Sequence, residues 1–212
     1  VIPGQALNEL LAGLLLGLGL IMPIGAQNLF IVQQGIALGA PRVFYATLAT
    51  TGCDALLITA GSLGLGTLFA GHAALRTVLM AAGGGYLLYL AWQNLRGPDA
   101  AGLDGPEAEQ TQTLTVRRTV TRAMGVSLLN PHAILDTVGV IGAVGIARNG
   151  AARVWFAGGC VLASLVWFTL LGTAALAIRR RLNRRGRLWI ARASSLVMAL
   201  FALLLWSELA LA

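Results

Sequence analysis

Six stretches of mostly apolar residues, each long enough to cross a bilayer, constrain this chain more than any other feature. They run from Leu7 to Val32, Val43 to Phe69, Ala73 to Leu95, Ala123 to Ala147, Val154 to Ile178 and Leu188 to Ala210. A hydrocarbon core takes about 20 apolar residues per helix. With 57% hydrophobic and only 11% charged residues, the 212-residue chain is too apolar for a soluble domain. It reads as an all-α integral membrane protein. No basic residue precedes the first stretch, whose apolar run is too long for a signal-peptide core, so that stretch is expected to be the first span.

All fifteen basic residues are arginines, and they lie in the connections between spans or, for Arg76 and Arg192, in the first turns of one. A net charge of +7 therefore reflects topology rather than nucleic-acid binding. Arg42, Arg96, Arg117, Arg118, Arg122 and the seven arginines from Arg179 to Arg192 fall on one side of the alternating spans, against Arg76, Arg148 and Arg153 on the other. Twelve against three places the first group in the cytoplasm and both termini outside. Cys53 and Cys160 fall inside spans, where each reads as a small apolar residue.

One connection is long. Residues 96–122, with Gly-Pro-Asp and Gly-Pro-Glu clusters and a run of Gln and Thr, read as a flexible cytoplasmic linker between a first three-helix repeat, 1–95, and a second, 123–212. Because three is odd, the second triplet enters the membrane with opposite orientation. Two related triplets would form inverted repeats, a plan that puts a transporter's site where discontinuous helices meet. Spans one and four are each expected to break at a proline beside an asparagine, in Met22-Pro23-Ile24-Gly25-Ala26-Gln27-Asn28 and in Leu129-Asn130-Pro131-His132. Asn130 as N-cap and Pro131 at the first helical position would restart the fourth helix.

Two carboxylates, Asp54 and Asp136, sit well inside spans two and four. An ionisable group at that depth costs about 3 kcal/mol or more and is a functional hypothesis by default. Asp54 also admits a plainer role, as hydrogen-bond partner of Thr50, Thr51 or another span's hydroxyl. A cationic substrate would complement both carboxylates. Helix starts after Pro23 and at Pro131 would offer free N–H groups to a substrate carboxylate, with Gln27 and Asn28 orienting that end. His132 lies four residues before Asp136 and would tune its protonation. A low-dielectric site favours a neutral carboxyl group and a bound cation favours the ionised one, so Asp136 and Asp54, with His132, are candidates for coupling transport to protons. Trp167, deeper than the other tryptophans, is a candidate cavity residue.

Pro23, Gly25, Gln27, Asn28, Asp54, Asn130, Pro131 and Asp136, in the motifs quoted, resemble the LysE-type lysine/arginine exporter family, and the resemblance extends over essentially the whole chain. It implies a secondary transporter, not an enzyme, that exports basic L-amino acids across the bacterial inner membrane, driven by the proton gradient or membrane potential. It also implies no organic cofactor. Gln27, Asn28, Asp54, Asn130 and Asp136 would bind substrate, with Pro23, Gly25 and Pro131 at the helix breaks. Related exporters handle neutral amino acids or metal cations such as Cd²⁺; Cys53 beside Asp54 and His132 near Asp136 keep the metal reading open. An intramembrane aspartyl protease also uses two membrane aspartates, but Gly52-Cys53-Asp54 lacks the Gly-x-Gly-Asp pattern of that class. Six spans are few to enclose a cavity, which suggests a homodimer in the lipid.

Overall fold

The computed structural model describes residues 3–23, 25–65, 72–95 and 108–211, and every regular element among them is helical. The first apolar stretch is divided. Helix α1 (Pro3–Ile21) ends before Pro23, and α2 (Ala26–Ala37) restarts after Gly25. Pro23 has no N–H to continue the ladder. Gly25 is extended, with φ −131° and ψ 178°, and caps α2 with no side-chain bond.

Helix α3 (Arg42–Ser62) follows across a tight loop in which Gly39 has φ +73°, a conformation that favours glycine. Helix α4 (Ala73–Leu95) has the bounds expected of the third span.

The fourth stretch is divided as well. Helix α5 (Ala108–Leu128) stops, and α6 (Pro131–Ile134) opens with the Asn130 carbonyl accepting from the Ile134 N–H at 3.1 Å. Pro131 thus sits at the start of a new helix, where its missing N–H costs nothing. From Leu135 to Ile141 the chain is π-helical, and α7 (Gly142–Ile146) completes the stretch.

Helix α5 begins inside the segment 96–122 that reads as a linker. No Gly or Pro lies between Ala108 and Met124, so nothing stops the helix from extending back out of the apolar stretch. Residues 96–107 lie outside those described. Helices α8 (Ala151–Arg181) and α9 (Arg184–Leu211) complete the fold. Among the described residues four helical stretches are long and apolar enough to cross a membrane: Gly4–Ile21, Arg42–Ser62, Ala151–Arg181 and Arg192–Ala210.

Small residues set how closely these helices approach. Gly13 and Gly17 of α1 lie against Phe156, Cys160 and Ala163 of α8, while Gly159 faces Leu10 and Leu14. A Cβ on Gly17 would come within 2.8 Å of the Ala163 Cβ. Residue numbers rise together on the two helices, so α1 and α8 are parallel. Helix α3 runs antiparallel to α8, with the Thr47 hydroxyl donating to the Phe168 carbonyl at 3.4 Å and Asp54 beside Ser164. Gly61 and Gly142 bring α3 against the fourth stretch. Such contacts are the usual basis of helix association in lipid, where apolar burial supplies no driving force.

The outer surface carries exposed Leu15, Leu56, Val154 and Leu196. That is the surface a bilayer solvates. Inside, Phe30, Ile31, Phe168, Met198 and Leu205 form one buried cluster, and Ile58, Ile141, Phe156 and Cys160 a second.

Candidate functional site at the two helix breaks

The break in the first stretch is held by Asn28. Its Nδ2 donates to the Pro23 carbonyl at 2.7 Å and to the Ile21 carbonyl at 3.0 Å, closing acceptors that the end of α1 leaves open. Its Oδ1 accepts from the Trp167 indole N–H at 3.1 Å, tying the break to α8. The negative end of α1 is therefore covered by an amide. The start of α2 has no side-chain cap, so its first N–H groups and the positive end of its dipole face the space in front of it.

Asp54 comes from the middle of α3 and is 3% exposed. Gln27 Nε2 donates to its Oδ1 at 3.1 Å, and the Ser164 hydroxyl donates to its Oδ2 at 2.9 Å. Both oxygens are thus held by neutral donors. No cationic side chain stands among these partners, so a charge on Asp54 is oriented but not neutralised by them.

A cavity of about 240 Å³ opens between the two breaks. Its wall takes Pro23, Gly25, Gln27 and Asn28 from the first break, Asp54 from α3, and Asn130, Asp136 and Thr137 from the second. Leu87 of α4 and Phe201 and Leu205 of α9 supply an apolar side. The volume is just below the range of about 300–1,000 Å³ usual for small-molecule sites. It suits one small solute rather than a peptide.

The structure therefore brings together seven residues singled out from the sequence: Pro23, Gly25, Gln27, Asn28, Asp54, Asn130 and Asp136. Asp136 differs from the expectation of a buried carboxylate, because it is exposed. It belongs to the π-helical segment, where each turn takes in one more residue than an α-turn and so turns the following side chains to a new face. The side chains of Pro131 and His132 lie outside the described residues, and with them the expected pairing of His132 with Asp136. Trp167, expected to line a cavity, is not in this cavity's wall and instead donates to Asn28.

Two features were not read from the sequence. The hydroxyl of another span that the sequence allowed as a partner of Asp54 is that of Ser164; which residue would supply it was not legible, because hydroxyls are common in membrane spans. The π-helical segment has no signal in residue type. Among the described residues no three His, Cys, Asp or Glu side chains gather where a metal ion could be held.

A family profile described as LysE type translocator matches residues 18–209. The chain belongs to this family. It is 35% identical over 190 residues to the protein named "Putative amino-acid transporter YisU" of Bacillus subtilis, covering 87% of this chain and 82% of that one. It is 37% identical over 176 residues to a protein of Aeromonas salmonicida named "Putative amino-acid transporter YggA", covering 82% and 83%. Arginine exporter protein ArgO of Pectobacterium carotovorum is 34% identical over 168 residues, covering 78% and 79%. No solved structure matches the chain. As a LysE type translocator the chain is a multi-pass membrane transport protein rather than an enzyme, which removes the aspartyl-protease reading.

Proposed function

We propose that this translocator exports basic L-amino acids, arginine foremost, across the bacterial inner membrane, with the cavity between the helix breaks as its substrate site. The observation that carries this reading is that Asp54 and Asp136 line the same cavity as the uncapped start of α2. An amino acid with a cationic side chain brings one carboxylate and two positive groups. The α2 N–H groups suit the first, and the two aspartates suit the others. Gln27 orients Asp54, Asn28 preserves the break, and Asn130 with Pro131 sets the second helix start from which Asp136 follows.

In this reading α4 and the divided fourth stretch complete six membrane crossings. The triplets 1–95 and 123–212 are inverted repeats, and both termini are external. The parallel run of α1 with α8 and the antiparallel run of α3 with α8 are the directions that six alternating crossings require. Coupling is to the proton gradient or membrane potential, with Asp54 and Asp136 exchanging a proton for the substrate's positive charge and His132, four residues before Asp136 in the sequence, tuning that exchange. Similarity to an arginine exporter supports arginine over a neutral substrate or a metal ion.

The test is efflux of preloaded arginine, lysine, leucine and Cd²⁺ from proteoliposomes, with and without an imposed proton gradient. Selective arginine or lysine efflux that falls to background in Asp136→Asn is the expected result. Leucine or Cd²⁺ efflux in its place overturns the substrate assignment and leaves the family intact.

A further inference from the structure

A ladder of buried polar side chains, none of them in the cavity wall, leads away from Asp54 along α3 toward Arg42. Thr50 precedes Asp54 by one helical turn on α3, and Thr47 lies close to two turns from Asp54, about 10 Å along the axis. On α2, Gln34 follows Gln27 by seven residues and so shares its face. Helices α2 and α3 are antiparallel here, with Gln27 beside Asp54 and Gly35 beside Val43, which puts Gln34 level with the Phe44–Thr47 turn of α3.

These side chains are out of contact with the surface: Thr50 is 0%, Thr47 2%, Gln34 5% and Thr51 7% exposed. The Thr50 and Thr51 hydroxyls and the Gln34 Oε1 nevertheless have no hydrogen-bond partner among the described residues. A buried polar atom left unpaired costs about as much as a lost hydrogen bond, and proteins ordinarily satisfy such atoms with internal water. Three of them on neighbouring turns, in line with an ionisable carboxyl group, are more than α3 needs to pack.

We infer that Thr50, Thr51, Thr47 and Gln34 line a hydrated proton path that joins Asp54 to the Arg42 end of the bundle, separate from the amino-acid cavity. The inference rests on the proposed coupling of export to protons. As a cationic substrate arrives beside it, the protonated Asp54 side chain passes its proton to water held by Thr50 and becomes a carboxylate. That proton leaves past Gln34, and no other bond changes. Its exit lies by the loop 38–41, where the Arg179 guanidinium rests against Gly39. The groups facing Asp54 are Gln27 from α2 and Ser164 from α8, both neutral, with Cys53 beside it on α3 and Asp136 in the same cavity wall. Arg42 and Arg179 flank only the exit.

The experiment uses the full chain in proteoliposomes and follows two signals: exchange of labelled for unlabelled arginine, which needs no net proton movement, and the internal pH change that accompanies net arginine efflux. Thr50→Val and Gln34→Leu keep the shape of each site and remove the polar atoms. Each is expected to hold exchange within about twofold of wild type while the proton signal per arginine falls about tenfold, and Thr50→Ser is expected to keep both. A proton signal at wild-type level in the Thr50→Val/Gln34→Leu double variant overturns the path. So does a parallel loss of exchange and proton signal, which marks these residues as packing. Wild-type arginine exchange with no pH change overturns proton coupling and the path together, whereas absence of arginine exchange in the wild type overturns the substrate reading.

Discussion

Asp54 is held by two neutral donors, so the hydrogen bonds and the charge can be separated by substitution. Ser164→Ala removes the 2.9 Å bond to Oδ2 and leaves the carboxyl group in place. Interhelical hydrogen bonds in membranes contribute about 0.6 kcal/mol on average and up to about 1.7. Thermal unfolding in detergent is expected to show a loss of that size, with arginine efflux reduced but present. Asp54→Asn keeps the shape and removes the charge. Losing one partner of a desolvated charge pair costs about 2 kcal/mol or more, so arginine efflux is expected to fall at least about thirtyfold and leucine efflux, if any, much less. An equal loss for both substrates would leave Asp54 a packing residue. Asn28 belongs to a different class, because its amide closes two backbone carbonyls and accepts from Trp167. Asn28→Asp cannot donate to those carbonyls, and unfolding temperature and transport of every substrate are expected to drop together.

Helix breaks were legible in the sequence because proline acts locally: Pro23 and Pro131 remove an N–H whatever surrounds them. The restart at Asn130 and Pro131 follows from the same chemistry. The π-helical segment was not legible, since Leu135 to Ile141 have no residue type that demands it. It forms where Val138 and Gly142 meet Gly61 of α3, a contact far apart in sequence. The start of α5 at Ala108 escaped notice for the opposite reason, a polar composition that resembles a linker although nothing in it breaks a helix. The parallel contact of α1 with α8 gives an element-scale prediction. A Cβ on Gly13 or Gly159 would collide with backbone carbonyls of the facing helix, those of Phe156 and Leu10, whereas one on Gly19 meets nothing within 4 Å. Gly13→Val and Gly159→Val are expected to lower the unfolding temperature and the yield of folded protein, and Gly19→Ala to change neither. If all three behave alike, the α1–α8 contact is not what holds the first span.

At the scale of the whole molecule, the arginine distribution and the helix directions come from independent sources. The first counts side chains between the apolar stretches and at their ends; the second follows from which residues touch, Gly17 with Ala163 and Thr47 with Phe168. The first presupposes alternating crossings, and the second supplies the directions they need: α3 opposes α8, and α1 runs with α8. Neither fixes which end of the bundle faces the cytoplasm, because reversing the whole molecule keeps every contact. The twelve-to-three arginine count is the ground for the orientation proposed above, through the cost of moving positive charge outward during insertion. One pole carries the Arg179–Arg192 segment. The other carries Arg148, which pairs with Glu9, lies 4.0 Å above the Phe156 ring and so ties the start of α1 to the loop before α8. The native cysteines are both buried and free, so single cysteines introduced at Asn149 and Arg185 are the natural reporters. A membrane-impermeant maleimide added to intact cells is expected to label Asn149→Cys directly, and Arg185→Cys only after the membrane is opened. The reverse pattern would turn the molecule over. Asp54 would then face the same cavity, but the proton path through Thr50 and Gln34 would open to the outside, and coupled export would need its proton to enter by the ladder rather than leave by it.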